Sequence, residues 1–143
     1  MFTVERRVGR LCEARIHRLM DIADVNAYAA AFRPIFTGVS RLVLCADHRP
    51  VPIYRPQVAD AMVAMFQSLN SRWERVAIVV APTNATLTMQ MQRIVRESAN
   101  PSRNVFLDAG AACIFLSSAL DEPERERLEA FLDEPIPSEP KAR

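Results

Sequence analysis

The densest group of chemically capable side chains in the sequence lies between residues 47 and 56. Its first two members, Asp47 and His48, invite an acid–base interpretation, because an imidazole titrates near neutral pH. Adjacent residues on a loop usually point in different directions, however, and the sequence places no nucleophile beside them. We therefore expect no catalytic residues here and predict that the chain is not an enzyme.

The same segment adds Arg49, Tyr54 and Arg55, which suit the binding of an anion. They follow the apolar run 42–46, which predicts a buried strand, and they precede a helix that Pro56 is well placed to begin. Open α/β sheets hold ligands at the carboxyl ends of their strands, and a helix N-terminus favours negative charge. Two interpretations stay open. One is a proline-stiffened surface loop with solvated arginines, and the other is a binding site for a protein partner or for a phosphate, carboxylate or lipid headgroup.

The cysteines and histidines are too dispersed to form a metal site or a disulfide framework. Cys12, Cys45 and Cys113 lie far apart, each inside an apolar segment, which is typical of buried thiols in a reducing compartment. Together with two histidines they show no short ligand spacing, so we expect no metal and no cofactor. The N-terminus alternates apolar and polar residues and does not resemble a signal peptide, which favours a cytoplasmic protein.

Composition argues against several functional classes. The chain has 143 residues and a net charge of +1, and it is long enough to bury a core without disulfides or a metal. It has only three glycines, so glycine-rich phosphate-binding loops and the GxSxG turn of hydrolases are absent. The arginines are scattered singly, which argues against nucleic-acid binding. No apolar run has the length of a transmembrane segment.

Met89 is a further candidate for contact with a partner. It lies off the apolar stripe of its predicted helix, which runs through Leu87, Met91 and Ile94. An off-stripe methionine among polar residues can belong to an adaptable exposed surface. The alternative is core packing, which is the default for a methionine in an amphipathic helix.

The last predicted helix, 122–132, has two different faces. One face is apolar, and the other carries the acidic residues Glu122, Glu126, Glu129 and Asp133. This pattern favours a solvated helix docked on the domain over a detachable helix that binds a partner. The D-x-x-E spacing that begins at Asp121 predicts a capping box at its N-terminus.

Periodicity predicts an α/β fold. Residues 2–8 and 10–18 alternate on either side of Gly9, which predicts an antiparallel hairpin with one face buried. Further apolar runs, separated by amphipathic helices, predict buried parallel strands at 41–46, 76–81 and 103–107.

These elements predict a single α/β domain over residues 1–134. We expect a mixed four- to five-stranded sheet, in which the N-terminal antiparallel hairpin joins parallel strands, with helices mainly on one face. Residues 135–143 are polar and rich in proline, and they are predicted to form a disordered tail.

The chain resembles the SpoIIAA-like or STAS superfamily, whose domains are related to anti-sigma-factor antagonists. The resemblance covers about residues 2–120 and rests on the order of elements and on the segments LVLCADHRPVPIYRPQVADAMVAMF, VAIVVAP and NVFLDAGAACIFLSSAL. It implies a small mixed sheet with helices mostly on one side. It also implies a non-enzymatic regulatory or scaffolding role in bacterial signalling, exerted through contact with another protein. Self-association as a homodimer stays open.

One part of the family pattern is absent. In the antagonist branch, an Asp-Ser-Ser-Gly-like motif follows the strand equivalent to residues 42–46, and phosphorylation of its serine switches partner binding. Residues 47–56 of this chain contain neither serine nor glycine. The phosphorylation switch therefore does not transfer, although Tyr54 is a modifiable residue near the start of the next helix. Prolines at this position predict a rigid contact surface.

Overall fold

A computed structural model describes residues 1–36 and 41–136 of the chain. In chain order its strands and α-helices are β1 Phe2–Val8, β2 Leu11–Ile16, α1 Ile22–Ala31, β3 Leu42–Asp47, α2 Pro56–Leu69, β4 Trp73–Val79, α3 Ala85–Glu97, β5 Arg103–Phe106, α4 Ala109–Ser117 and α5 Glu122–Asp133. Most of the predicted disordered tail, residues 137–143, lies outside the described residues. So does Gly38, which the sequence pattern placed at the end of the first helical segment.

The five strands form one sheet in the order β1-β2-β3-β4-β5. β1 is antiparallel to β2, and all other neighbours run parallel. The predicted fold class, an antiparallel hairpin joined to parallel strands in a mixed sheet, is confirmed. Because parallel strands end on the same side, the connections after β2, β3, β4 and β5 meet along one edge. We call this the carboxyl edge.

Helices cover both faces of the sheet, three on one face and two on the other. α1, α2 and α3 pack on the first face, around Tyr28, Met62 and Met91. α4 and α5 pack on the second face, around Leu116 and Phe131. Successive strand residues contribute alternately to these two cores, as the two-residue period of a strand requires. No helix in the described ranges is long and apolar enough to cross a membrane.

β2 differs from its prediction. The alternating sequence predicted one buried face, but all six residues of Leu11–Ile16 are buried. α5 packs over the second face of this strand, so Glu13 and Arg15 lie in the interior. A buried charge is costly unless an opposite charge accompanies it. Both side chains therefore need partners that the local sequence does not supply.

The helix N-termini follow the sequence signals. The sequence offers Asp21 or Asp24 as the cap of α1, and the structure uses Asp21; it also has side-chain caps at Asn84 and Asp108. The capping box predicted at Asp121 is complete, and α2 begins at Pro56, as predicted. The spacing of Ile22, Val25, Ala29 and Phe32 predicts the apolar stripe of α1, which is wrong at one position, because Ile22 is exposed and Tyr28 is buried instead.

The β1–β2 turn is tied to the N-terminus of α5. Gly9 has φ +56°, a conformation that residues with a side chain rarely adopt. The adjacent Arg10 N–H donates to the Glu124 carboxylate, which also accepts the Asp121 N–H at 2.8 Å. A Cβ at Gly9 would overlap this carboxylate. Glycine is therefore required here for both conformation and space.

We expect Gly9→Ala to lower the free energy of unfolding by about 2–3 kcal/mol, because it adds left-handed strain and displaces the capping carboxylate. Urea denaturation of the full chain measures the change. Gly110→Ala is the matched control, since a Cβ there would meet only Asp108 oxygens at ordinary contact distance, the nearest at 3.4 Å. The control should be neutral or stabilising by up to about 1 kcal/mol. Equal effects at both glycines would contradict this explanation.

Candidate functional site

The connection from β3 to α2, residues 48–55, lies at the carboxyl edge and is held from several sides. The His48 N–H donates to the Val79 carbonyl at 2.8 Å, which continues the β3–β4 pairing. The Asn84 amide donates to the Pro52 carbonyl at 2.8 Å. Gln90 of α3 pairs with both backbone groups of Tyr54, accepting from its N–H at 2.9 Å and donating to its carbonyl at 2.7 Å. These bonds and the prolines make the connection rigid, but Val51 and Tyr54 within it are buried. Arg49 is paired with Asp47, so the interpretation of solvated arginines fits only Arg55.

Asp47 lies at the end of β3, buried between two arginines. Its carboxylate accepts from Arg15 Nε at 2.9 Å and from Arg49 Nε at 2.9 Å. The Arg49 backbone N–H adds a further bond at 3.0 Å. Burial by itself would raise the pKa of Asp47, but the hydrogen bonds from Arg49 and Arg15 outweigh burial and hold that pKa below its usual value. Asp47 is therefore a carboxylate committed to an internal ion pair.

The two arginines also bind the C-terminal turn of α5. Arg15 Nη2 donates to the Phe131 carbonyl at 3.0 Å, and Arg49 Nη2 donates to the Leu132 carbonyl at 3.1 Å. The last carbonyls of a helix have no partner within the helix and form the negative end of its dipole. The last turn of α5 has no basic residue of its own. Arginines from β2 and from the β3–α2 connection therefore cap this helix.

A second set of charges completes the attachment of α5. Arg127 binds both carboxylate oxygens of Glu13, at 2.8 and 2.7 Å, and Glu134 at 2.7 Å. Glu134 also lies 3.3 Å from Arg15. We call the whole set the ion network; its members are Glu13, Arg15, Asp47, Arg49, Arg127 and Glu134. It contains three cations and three anions, so its formal charge is balanced.

His48 and Tyr54 form a buried neutral pair. His48 Nδ1 and the Tyr54 hydroxyl are 2.8 Å apart, and both residues are almost fully buried. Burial lowers the pKa of His48 to about 4, against the smaller opposing effect of Asp47. Burial also raises the pKa of Tyr54 well above its ordinary value. Neither group is placed to exchange protons with a solvent-borne substrate, and the Tyr54 hydroxyl can be modified only if the connection opens.

Arg55 and Met89 are the exposed members of the predicted site. Arg55 precedes α2, whose N-terminus lacks a side-chain cap. Met89 is 71% exposed, as its off-stripe position predicted, and Ile53 on the neighbouring connection is 56% exposed. The structure therefore pairs Asp47 with Arg49 and His48 with Tyr54 inside the molecule, and it leaves Arg55 and Met89 at the surface.

Sequence reasoning missed the residues that bind Asp47 and α5, namely Glu13, Arg15, Arg127 and Glu134. Glu13 and Arg15 were assigned to the exposed face of the hairpin. A signal was available, because β2 had to lie between β1 and a buried parallel strand, and a strand in that position can be covered on both faces. The partner helix could not be identified from that signal.

The described residues contain no group of three or more metal-ligating side chains. Burial raises the pKa of Cys12 to about 12 and raises that of Cys45 further, so both thiols are uncharged. A polar cleft of about 200 Å³ opens beside the ion network, between β1 and the end of α5. Its exposed charges, Glu5 and Arg7, pair with each other. The cleft therefore presents no unbalanced charge to a ligand.

The chain was compared with protein-family models, curated proteins and solved structures, and none of them matches it.

We expect Asp47→Asn to lower the free energy of unfolding by about 3–5 kcal/mol, because it leaves two arginines facing a neutral group in the interior. Chemical denaturation followed by circular dichroism measures the change. Asp60→Asn is the matched control, since Asp60 pairs with Arg93 at the surface with its side chain 70% exposed. That change should cost less than about 1 kcal/mol. A small effect at Asp47 would show that the network does not hold the fold.

We expect the protein to lose stability as the pH falls from 6.5, the ordinary His48 pKa, to about 4, its pKa in the folded chain. Between those values the unfolded chain binds a proton at His48 and the folded chain does not, so the full loss is about 3 kcal/mol. Asp47 and Glu134, whose pKa values are lowered from 3.8 and 4.5, begin to add their losses as the pH falls through those ordinary values, so they contribute little above about pH 5.

Denaturation between pH 7 and pH 5 isolates the histidine contribution. His48→Gln should flatten the dependence of unfolding free energy on pH in this range, whatever its effect on stability at pH 7. The wild-type chain is the reference for this slope. An unchanged slope in the His48 variant would refute the assignment.

Proposed function

We propose that this chain is a non-enzymatic regulatory or scaffolding domain that binds another protein through its carboxyl edge. The observation that carries the proposal is the distribution of exposed apolar side chains. Five of the eight large apolar residues that are exposed in the described ranges lie between the end of a parallel strand and the fifth residue of the next helix; they are Met20, Ile22, Ile53, Met89 and Leu107. Concentrations of apolar surface on soluble proteins mark contact sites.

These five residues come from neighbouring connections. Met20 and Ile22 follow β2, Ile53 follows β3, Met89 lies in the helix that follows β4, and Leu107 follows β5. The sheet order places those connections side by side along the carboxyl edge. An extended partner segment could therefore contact all of them.

Rigidity supports a preformed contact surface. The connection that carries Ile53 is held by Asn84 and by Gln90, as described above. A segment that is already ordered loses little conformational entropy on binding. Asp47 and Arg49 are paired with each other, and the exposed charge of this connection is Arg55. The partner therefore meets Ile53 beside one arginine and does not have to displace an ion pair.

The resemblance to the SpoIIAA-like or STAS superfamily supports a regulatory role of this kind. Members of the antagonist branch bind a protein partner through the same connection. In this chain the phosphorylated serine is absent, and Tyr54 is buried against His48. We therefore propose that the contact is constitutive and is not switched by phosphorylation at this connection.

A second candidate function is the binding of a small anion or a lipid headgroup at the same connection. Arg55 is exposed beside the uncapped N-terminus of α2, which favours negative charge. Arg49 already donates to Asp47 and to the Leu132 carbonyl. An anion bound here would therefore depend on Arg55.

We expect the double variant Ile53→Ser, Met89→Ser to lose a partner that the wild-type chain binds stoichiometrically. Both residues are exposed, so unfolding free energy should change by less than about 1 kcal/mol. Affinity capture from cells of the source organism would identify the partner, and calorimetry with the purified partner would measure at least about a tenfold weakening.

Ile114→Ser is the matched control, because Ile114 is an exposed isoleucine of α4, which packs on the opposite face of the sheet from α2 and α3. It should retain the partner. Failure to find a stoichiometric partner, or equal binding by the double variant, would contradict the proposal. A thermal shift with inorganic phosphate that disappears in Arg55→Ala would instead support the second candidate.

A further inference from the structure

α4 is an uncharged helix that the fold covers only in part. Residues Ala109–Ser117 include no acidic or basic side chain. A helix that is apolar all round is normally buried on all sides. Here only Ala112 and Leu116 are buried, and Ile114 is 78% exposed. Part of this helix therefore has no packing partner among the described residues.

The exposed part of α4 borders a groove that separates it from α5. The groove holds about 370 Å³, a volume that accommodates a few large side chains. On the α4 side it is lined by small residues at intervals of four, Ala109, Cys113 and Ser117, and by Ile114. On the α5 side it is lined by Leu132, Glu129 and Asp133. Small residues in one row allow another helix to approach closely.

The α5 side of the groove carries negative charge that the described residues leave unpaired. Other acidic residues in the described ranges pair with an arginine or cap a backbone N–H, for example Glu97 with Arg93 and Asp108 with Gly110. The acids of the described ranges that make neither kind of bond all lie on one face of α5; they are Glu122, Glu126, Glu129 and Asp133.

The unpaired charges act on the groove itself. Burial raises the pKa of the Cys113 thiol, and Glu129, Asp133 and Asp108 raise it further. Glu129 and Asp133 are also like charges four residues apart in one helix, an arrangement that destabilises a helix slightly. A basic partner would relieve this repulsion.

We propose that the groove between α4 and α5 binds a basic amphipathic helix of another protein, with an apolar side chain beside Ile114 and lysines or arginines facing the acidic face of α5. This site is distinct from the proposed contact at the carboxyl edge and does not depend on it. A helix bound in this groove packs on the exposed part of α4 and places its cations against the acidic face of α5.

A second copy of the chain fits the groove less well. Pairing two α4–α5 faces would bring two acidic α5 faces together, and like charges across an interface are unfavourable. Among the described helices, α3 carries both an apolar stripe and two arginines, but its stripe of Leu87, Met91 and Ile94 is already buried in the core, and Arg93 pairs with Asp60 and Glu97. The arginines of α5 serve the ion network or the Leu120 carbonyl. We therefore assign the complementary chemistry to a different protein.

The test uses the full chain and two fluorescein-labelled model peptides. The first peptide carries a leucine stripe flanked by lysines, and the second replaces each lysine with glutamate. We expect fluorescence anisotropy to show binding of the lysine peptide at least about tenfold tighter than that of the glutamate peptide. The double variant Glu129→Lys, Asp133→Lys should reverse this preference, and Ile114→Ser should weaken binding of the lysine peptide.

Two matched control variants distinguish binding at the groove from an effect of the overall net charge. Asp60→Lys with Glu97→Lys makes the same change in net charge on the α2–α3 surface and should leave the preference intact. Ile53→Ser removes an exposed isoleucine at the carboxyl edge and should also leave the preference for the lysine peptide intact. A failure of the groove proposal is therefore distinguishable from a failure of the proposed function. Equal affinity for both peptides would overturn the proposal. A wild-type dimer in sedimentation that Ile114→Ser dissociates would overturn it in favour of a second copy.

Discussion

The carboxylate of Asp47 is the charge on which the second face of this protein depends. It ends β3 inside the molecule, where an unpaired carboxylate would be several kcal/mol too costly to keep. Arg15 from β2 and Arg49 from the following connection bind it from two sides. Their remaining N–H groups are then available to the last carbonyls of α5. One buried anion therefore positions two cations, and the cations hold a helix against the sheet.

This arrangement explains why β2 is buried on both faces. α5 can cover a strand that carries Glu13 and Arg15 because Arg127 and Glu134 return the opposite charges. Phe131 contributes an aromatic ring 4.6 Å from the Arg15 guanidinium, which adds a favourable cation–π contact. The alternating sequence of β2 predicts a half-exposed strand, but its polar residues lie in the interior.

The same ion pairs determine which side chains are available to bind a partner. Asp47, His48, Arg49 and Tyr54 look like a polar site in the sequence, but they turn inward: Asp47 and Arg49 bind each other within the ion network, and His48 Nδ1 pairs with the Tyr54 hydroxyl while His48 Nε2 has no hydrogen-bond partner within the described ranges. At the surface of the carboxyl edge, Ile53 and Met89 are exposed in neighbouring segments, and Arg55 is exposed beside them. The unpaired negative charge of the described residues lies elsewhere, on the outer face of α5 beside the apolar α4. The two proposed contacts therefore differ in chemistry, and a partner of one is not expected to compete for the other.

Features set by neighbouring residues were predictable from the sequence alone. Two-residue and helical periods gave the strands and helices, and the caps at Asp21, Asn84, Asp108 and Asp121 lie where local hydrogen-bonding capacity placed them. The clustering of Asp47 with Arg49 is also a local property. Tertiary structure decided which charges are buried, because Asp47 and Arg15 are 32 residues apart and Arg15 and Glu134 are 119 apart. The spacing of apolar residues shows which residues share one face of a strand or helix. It does not show which distant helix will cover that face.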